Sequence, residues 1–421
     1  MAEKTPINLL NEMLDCCVSG EPTKHAPLIF GNLFVTEENR HKFDLAIDGL
    51  YDSLPAISTL SKAHFKDLLL AKIGEQKPKN LRFTEPEWQS FREQILGIPV
   101  ANWRVFRPIH GVTIPPQGEP VKLGKFTIYD RKCHSARLLS SLPNSSFSRT
   151  QDRSEFLIEC TVNARDSNKA LELADALFYR FELIMRFFIG NRTGRFEVGV
   201  LNYIGAQLQD YVATSENQIS QGGAWQGALQ PLPISDPYFT APMPAFERIL
   251  QILEKQNNDF EAHVLRCVEW TGQAIAEPNA ASAFVKAAIA LEVLFSANEK
   301  GVITPSIMSQ IAESCAFILG DSSASASEFE REVKRLYGVR SAVVHSGKDS
   351  VSLVDLHSLI QICRDIVIAL LSDKEFQQID SVSKLGRYFR AKKYSSLEKA
   401  EVSGQSNQEQ SDAAQIGDGI A

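Results

Sequence analysis

The stretch REVKRLYGVRSAVVHSG, Arg331 to Gly347, decides how this chain is read. It holds an arginine, Arg340, and a histidine, His345, with four residues between them, and it closes on Ser346-Gly347, a helix stop. From Arg331 to Lys348 five basic residues (Arg331, Lys334, Arg335, Arg340, Lys348) stand against one acid, Glu332, in a chain whose formal net charge is -7. Successive helical residues turn by 100°, so Arg340 and His345 point about 140° apart on a regular helix. Two arrangements would bring them together. The helix could end at His345 and free its ring, or two copies could pack across a dimer axis and line one cleft. An imidazole so placed can act as acid or base, and a neighbouring guanidinium can hold a phosphate through two hydrogen bonds. A histidine at a helix end can equally be a plain cap, and the spacing alone does not choose between these.

The residues around this stretch are helical. Ala281 to Ala297 (ASAFVKAAIALEVLFSA) is nearly all apolar, as a buried helix would be, and Pro305 to Leu319 follows, closed by Gly320. The serine-rich run from Asp321 to Ser327 is expected to be a loop supplying the cap of a helix over Glu328 to Ser346. Upstream, Phe246 to Lys255 and Glu261 to Ala276 are amphipathic. Downstream, Ser352 to Leu371 sets Leu353, Leu356, Ile360, Cys363, Val367 and Leu370 at alternating spacings of three and four, a seam for a bundle or a dimer. After Ser381, Lys384, Arg387, Arg390, Lys392 and Lys393 interleave with Tyr388, Phe389 and Tyr394. This run could hold RNA by charge and stacking, or be a solvated helix end. From about Glu401 no apolar pattern remains, and disorder is expected.

The first half differs. Residues 6 to 75 suggest short helices around Leu45, Leu50, Tyr51, Phe65, Leu68, Leu69 and Leu70. Ile98 to Gly124, with five prolines, reads as loops between short strands. Phe126 to Tyr129 and Phe156 to Val162 alternate as strands. Asp166-Ser167 then opens a helix carrying Ala170, Ala174, Phe178, Phe181 and Phe188. Arg195 to Ile204 alternates again, and Tyr211 to Ser220 is a weaker strand candidate. The fold class expected is an α+β N-terminal domain followed by an all-α helical bundle. The domains expected are 1–235, a proline-rich linker at 236–245, the bundle at 246–380, a basic-aromatic segment at 381–400 and a tail at 401–421.

Composition sets limits. Hydrophobic content of 44% and charged content of 23% are those of a globular protein. The negative net charge excludes general affinity for phosphate backbones, so nucleic-acid contact needs a local basic patch. Seven scattered cysteines without a CxxC pair point to reduced thiols. MAEKTPINLLNEML lacks the apolar core of a signal peptide, and Leu177 to Ile189 is interrupted by Arg180, Glu182 and Arg186. A cytoplasmic protein without membrane contact is expected. No phosphate loop, GxGxxG, HExxH or nucleophile elbow is present. Cys16-Cys17 and Cys133-His134 lack metal-ligand spacing, and no metal or cofactor is expected.

The helix AIALEVLFS (Ala288 to Ser296), the helix IAESCAFILG (Ile311 to Gly320) and LYGVRSAVVHSG (Leu336 to Gly347) occur in that order. Together, over about 90 residues, they resemble the HEPN superfamily, specifically its Apea-like branch with its Tyr-x-x-Arg-Ser-x-x-x-His pattern and following glycine. In that branch the histidine is often followed directly by glycine, whereas Ser346 intervenes here. The resemblance implies an HEPN-like helical bundle that dimerises and a metal-independent endoribonuclease of phage defence or toxin systems. It implies RNA, such as tRNA or mRNA, as substrate, a second copy as partner and a phage-derived trigger. It makes Arg340 and His345 the catalytic pair, with Ser341 bonding phosphate. Glu292 would orient the pair or form a structural salt bridge within the bundle. Lys334, Arg335, Tyr337 and Lys348, the basic and aromatic residues around the pair, are expected to contact RNA. Some HEPN domains are silent dimerisation or sensor modules, which is the alternative function.

Overall fold

The computed structural model describes residues 5–20, 28–30, 33–115, 118–140, 155–192, 196–205, 207–215, 218–226, 230–234, 243–295, 307–347 and 350–394. Lys348, most of the 236–245 linker and the 401–421 tail lie outside them. The fold is mixed, an α+β N-terminal region followed by an all-helical C-terminal region.

Helix α1 (Pro6–Cys16) starts at Thr5 with proline in its first turn, where no backbone donor is needed. Strands β1 (Cys17–Ser19), β2 (Leu28–Phe30) and β3 (Leu33–Val35) form a small antiparallel sheet of order β1-β3-β2. Helices α2 (Glu37–Asp52), α3 (Lys62–Gln76) and α4 (Glu85–Leu96) follow. The Ser61 hydroxyl accepts the His64 N–H at 3.1 Å to start α3, and Thr84 with Glu87 makes a capping box for α4. Leu10, Ile47, Phe65, Leu69 and Phe91 share one core. The helices expected to be short here are longer: α2 has 16 residues and α3 has 15. Leu45 faces solvent, because α2 buries Phe43, Ala46, Ile47 and Leu50 at spacings of three, one and three.

Next come β4 (Ala101–Ile109), β5 (Val112–Thr113), β6 (Val121–Leu123), β7 (Phe126–Asp130), the short helix α5 (Ser135–Leu139) and β8 (Phe156–Ala164). The larger sheet has the order β4-β8-β7-β6. Proline content misled the reading of 98–124, since β4 is a nine-residue strand containing Pro108. As an edge strand it can lack one N–H on its open side without losing a ladder bond. Helix α6 (Ser167–Ile189) starts where expected.

The strand expected over 195–204 is absent from the described residues 196–205, where only isolated bridges at Phe196 and Gly199 occur. Two carboxylates take the backbone donors instead. Glu182, fully buried, accepts the N–H groups of Val200, Leu201 and Asn202, and Glu197 accepts those of Ile204 and Gly205. The weaker candidate at 211–220 is a hairpin of β9 (Gln207–Ser215) and β10 (Gln218–Gln226). Strand β11 (Leu232–Pro233) pairs in parallel with β5.

The helical region comprises α7 (Met243–Glu254), α8 (Asp259–Ala276), α9 (Ala280–Phe295), α10 (Ile307–Leu319), α11 (Ser323–Ser346), α12 (Leu353–Ser372) and α13 (382–394). Helices α8 and α9 form a hairpin, α10 packs on α11, and α12 lies against α8, α9 and α10. Helix α9 is central, with Phe284, Ala287, Ala288, Leu291 and Leu294 fully buried. The serine-rich run is not a loop. Helix α11 begins at Ser323, and Ser322 caps it by accepting the Ser325 N–H, so the intervening alanines extend the helix. In the seam of α12, Leu356, Ile360, Cys363, Val367 and Leu370 are buried, while Leu353 is exposed. The basic-aromatic run is α13, and it packs inward. Phe389 is buried and stacks on Phe317 at 5.7 Å, while Lys392 pairs with Glu375 and Lys393 with Glu313.

The chain forms two compact units, each from two stretches. The first is Met1–Phe106 with Glu159–Leu177, and the second is Arg107–Ile158 with Phe178–Ala421. The division therefore does not fall at the proline-rich linker. Within the second unit, Arg364 of α12 donates to the carbonyls of Phe187 and Phe188 at 2.6 and 3.0 Å. These are terminal acceptors of α6, which would otherwise lack a partner. Gly190, with φ of 59°, makes room for that guanidinium, since a Cβ there would lie 2.4 Å from its carbon. No helix among the described residues is long and apolar enough to cross a membrane.

Candidate functional site

Helix α11 carries all but one of the described candidate residues, and its packing on α9 sorts them. Val333, Leu336 and Tyr337 are its buried positions. Tyr337 is 6% exposed and its hydroxyl donates to the Ala288 carbonyl at 3.2 Å. Burial pushes its phenol well above the ordinary value, with the Glu292 charge adding to the effect. The ring fills the α9–α11 interface, so the expectation that Tyr337 contacts RNA is corrected.

Lys334 and Arg335 are exposed but not free. Lys334 meets Glu330 at 2.6 Å. Arg335 grips Glu332 at 2.8 Å and Asp355 of α12 at 2.6 Å. The hydrogen bonds from Arg335 hold the Glu332 carboxyl below the usual range, and the two acids hold the guanidinium above its own. The basic excess counted from Arg331 onward is thus largely matched. Glu330 stands one residue before the counted stretch, and Asp355 arrives from another helix.

Arg340 and Glu292 come together as expected. The guanidinium Nη2 lies 3.2 Å from Glu292 Oε1, and both side chains are about a quarter exposed. The Arg340 Nε–H is enclosed and meets no acceptor among the described residues; Gln76 Oε1 is the other such side-chain atom. Enclosed donors without acceptors are rare in folded proteins and mark places where something is unfinished.

His345 and Ser341 are exposed, and among the described residues neither side chain makes a hydrogen bond or ion pair. Gly347 closes α11 with φ of 63°, its N–H returning to the Ala342 carbonyl. The stop falls at the expected glycine, but the helix runs through Ser346, so His345 sits inside the last turn and is not freed by an earlier ending. On regular helical geometry it points about 140° from Arg340. Within one chain the structure brings Arg340 to Glu292 and leaves His345 on a separate face. The apolar side chains of Val344, next to His345 in sequence, and of Leu353 and Val354 at the start of α12 are exposed by 46, 62 and 72%.

Sequence reasoning missed two features of this surface. Asp355 neutralises Arg335 across the helix pair, which no local window could show. Gly338, an exposed glycine inside α11, was visible as a break in helical propensity. Among the described residues no three His, Cys, Asp or Glu side chains are gathered as metal ligands. A cleft of about 460 Å³ lies elsewhere, between α7, the start of α8 and the chain after α12, lined in part by Arg248, Glu261 and Gln377. None of the candidate residues lines it. No protein-family model, no curated protein and no solved structure matches this chain.

Proposed function

We propose that the chain is an HEPN-type endoribonuclease that cuts RNA, tRNA or mRNA among its substrates, without a metal, as part of an antiviral or toxin-like response to a phage-derived trigger. The observation that carries this reading is the state of Arg340, tethered by Glu292 on one edge with an Nε–H left without an acceptor. The ordered likeness of α9, α10 and α11 to the Apea-like branch supports it.

The reaction follows from the groups present. His345 takes the proton of a ribose 2′-hydroxyl, whose oxygen attacks the adjacent phosphorus. The P–O5′ bond breaks, leaving a 2′,3′-cyclic phosphate and, once the leaving oxygen is protonated, a 5′-hydroxyl. Arg340 stabilises the charge gathering on the phosphoryl oxygens, and the exposed Ser341 hydroxyl is available to them. Since Arg340 and His345 diverge on one helix, the cleft is completed by a second copy. The exposed Val344, Leu353 and Val354 give that copy apolar surface to cover. The N-terminal region selects the substrate or senses the trigger.

A second reading has its own support. Arg340 is already ion-paired and His345 points elsewhere, as in a silent dimerisation or sensor module. One experiment separates the two: total RNA incubated in EDTA with the wild-type chain, Arg340→Ala and His345→Ala. Cleavage by the wild type that falls about 10²- to 10⁴-fold in each variant, with folding intact, supports the nuclease. RNA left uncut by the wild type favours the module. Cutting that survives both substitutions, or that needs Mg²⁺, overturns the proposed mechanism.

A further inference from the structure

The cleft between α7, the start of α8 and the chain after α12 takes no part in the ribonuclease reading, yet its lining is ordered around charge. Its volume of about 460 Å³ falls within the roughly 300–1,000 Å³ of small-molecule sites. Helix α7 contributes Pro244, Glu247, Arg248, Gln251 and Ile252, whose spacings of three, one, three and one follow a single helical face.

The same lining holds a carboxylate that the fold keeps out of water. Glu261 is 4% exposed, and a buried charge needs partners. Its side chain accepts the Asn257 N–H at 2.6 Å and an N–H of the Arg248 guanidinium. The second contact also fixes Arg248, whose Nη1 donates to the Gln251 side-chain oxygen at 3.3 Å. Of the five N–H donors of a guanidinium two are thus spent, and three meet no acceptor among the described residues. Arg248 lines the cleft with 43% of its side chain exposed, so a guanidinium anchored by a buried acid keeps donors for a ligand. Glu247, its neighbour in sequence, is exposed, and no hydrogen bond or ion pair engages its side chain among the described residues. The lining also includes the apolar Ile252, Val264, Leu370 and Phe376, all buried.

These charges select among ligands. Two acids, Glu247 and Glu261, stand against one base, Arg248, which weighs against a plain anion. A plain cation would leave the Arg248 donors unused. A molecule carrying both signs satisfies both groups. Arg335 shows that one guanidinium of this chain can hold two carboxylates, Glu332 at 2.8 Å and Asp355 at 2.6 Å. We propose that the cleft binds a free α-amino acid with a small aliphatic side chain. Its carboxylate bonds Arg248, its ammonium meets Glu247, and its side chain lies against the apolar lining. None of this rests on the ribonuclease reading, because no candidate residue of that reading lines the cleft.

The test titrates three matched probes into the full chain by ligand-detected NMR, without RNA: L-norvaline, n-butylamine, which lacks its carboxylate, and pentanoate, which lacks its amine. L-norvaline is expected to bind about tenfold or more tighter than either analogue, a difference of about 1.4 kcal/mol or more. Glu247→Gln, at an exposed position that the fold does not use, should bring L-norvaline down to the level of pentanoate. Arg248→Lys, which still neutralises Glu261, should bring it down to the level of n-butylamine. Gln377→Trp, an exposed substitution that narrows the cleft, should abolish binding of all three. A wild type that does not bind L-norvaline overturns the proposal. So does n-butylamine or pentanoate binding as tightly as L-norvaline, which would make the cleft a plain cation or anion site. L-norvaline binding unchanged in Glu247→Gln or in Gln377→Trp also overturns it, by placing the ligand elsewhere.

Discussion

Asp166 shows how much a single side chain can hold at the start of a helix. One carboxylate oxygen accepts the N–H groups of Asn168 and Lys169 at 3.0 and 3.1 Å, and the other accepts that of Ser61 at 2.7 Å. Burial pushes its pKa up, but the donors from Ser61 and Lys169 outweigh that, and the net value lies below the usual carboxylate range. The folded value is therefore lower than the unfolded one. The contribution to stability is fully present above about pH 4 and is lost as pH falls through the folded value. Asp166→Ala should cost about 1–2 kcal/mol at pH 7, as lost helix caps do. In urea unfolding that gap should shrink at pH 3, and a gap of equal size at both values would contradict the assignment. Asp166 was legible because a cap has a local signature. Pairing across helices is less so. The Glu292–Arg340 contact was readable as an acid in an apolar helix seeking a partner, whereas the burial of Tyr337 depends on which face of α11 meets α9.

At the scale of elements, the approach of α8 to α6 turns on Gly272. A Cβ there would lie 2.4 Å from the Leu183 carbonyl oxygen, a backbone atom that cannot step aside. Arg180 of α6 and Glu269 of α8 pair at 2.5 Å along the same contact. Gly272→Ala should therefore destabilise the chain by about 1–3 kcal/mol through overpacking, although alanine is the better helix former. A urea midpoint unchanged or raised by the substitution would show that the helices can separate at little cost. Elements with strong periodicity were legible in advance. Strand β8 alternates, and α6 and α12 repeat at helical spacing. Residues 196–205 were not, because their alternation is real while Glu182, reaching in from α6, and Glu197, within the segment itself, take the backbone donors that a ladder would use. Proline likewise hid β4, since its tolerance depends on an edge position that only the sheet order reveals.

The whole chain poses a different question, because which stretches belong to one compact unit is set by contacts between residues far apart in sequence. Nothing local in Arg107–Ile158 announces that it is grouped with Phe178–Ala421. The cysteines probe that organisation in both units. Composition pointed to reduced thiols, and none of the seven cysteines is in a disulfide. Six are buried and Cys133 is exposed. Burial pushes Cys17 and Cys363 up to about 12, and it raises Cys267 and Cys315 well above the ordinary thiol value. The Cys133 thiol is raised as well, by desolvation and by its hydrogen bond with Asp130, so access rather than ionisation separates it from the six buried thiols while their surroundings stay folded. Native chain treated with a disulfide reagent such as Ellman's should release one equivalent quickly, from Cys133, and the Cys133→Ser chain should release none in that phase. The other six should react only as fast as their surroundings open, and promptly in denaturant. Cys16 and Cys17 report on the first unit, and Cys267, Cys315 and Cys363 on the helices that carry the proposed site. A second fast thiol assigned by mass to the helical region would mean that its core opens readily under native conditions. Helices that loose could not hold Arg340 against Glu292, and the site would have to be assembled by a partner.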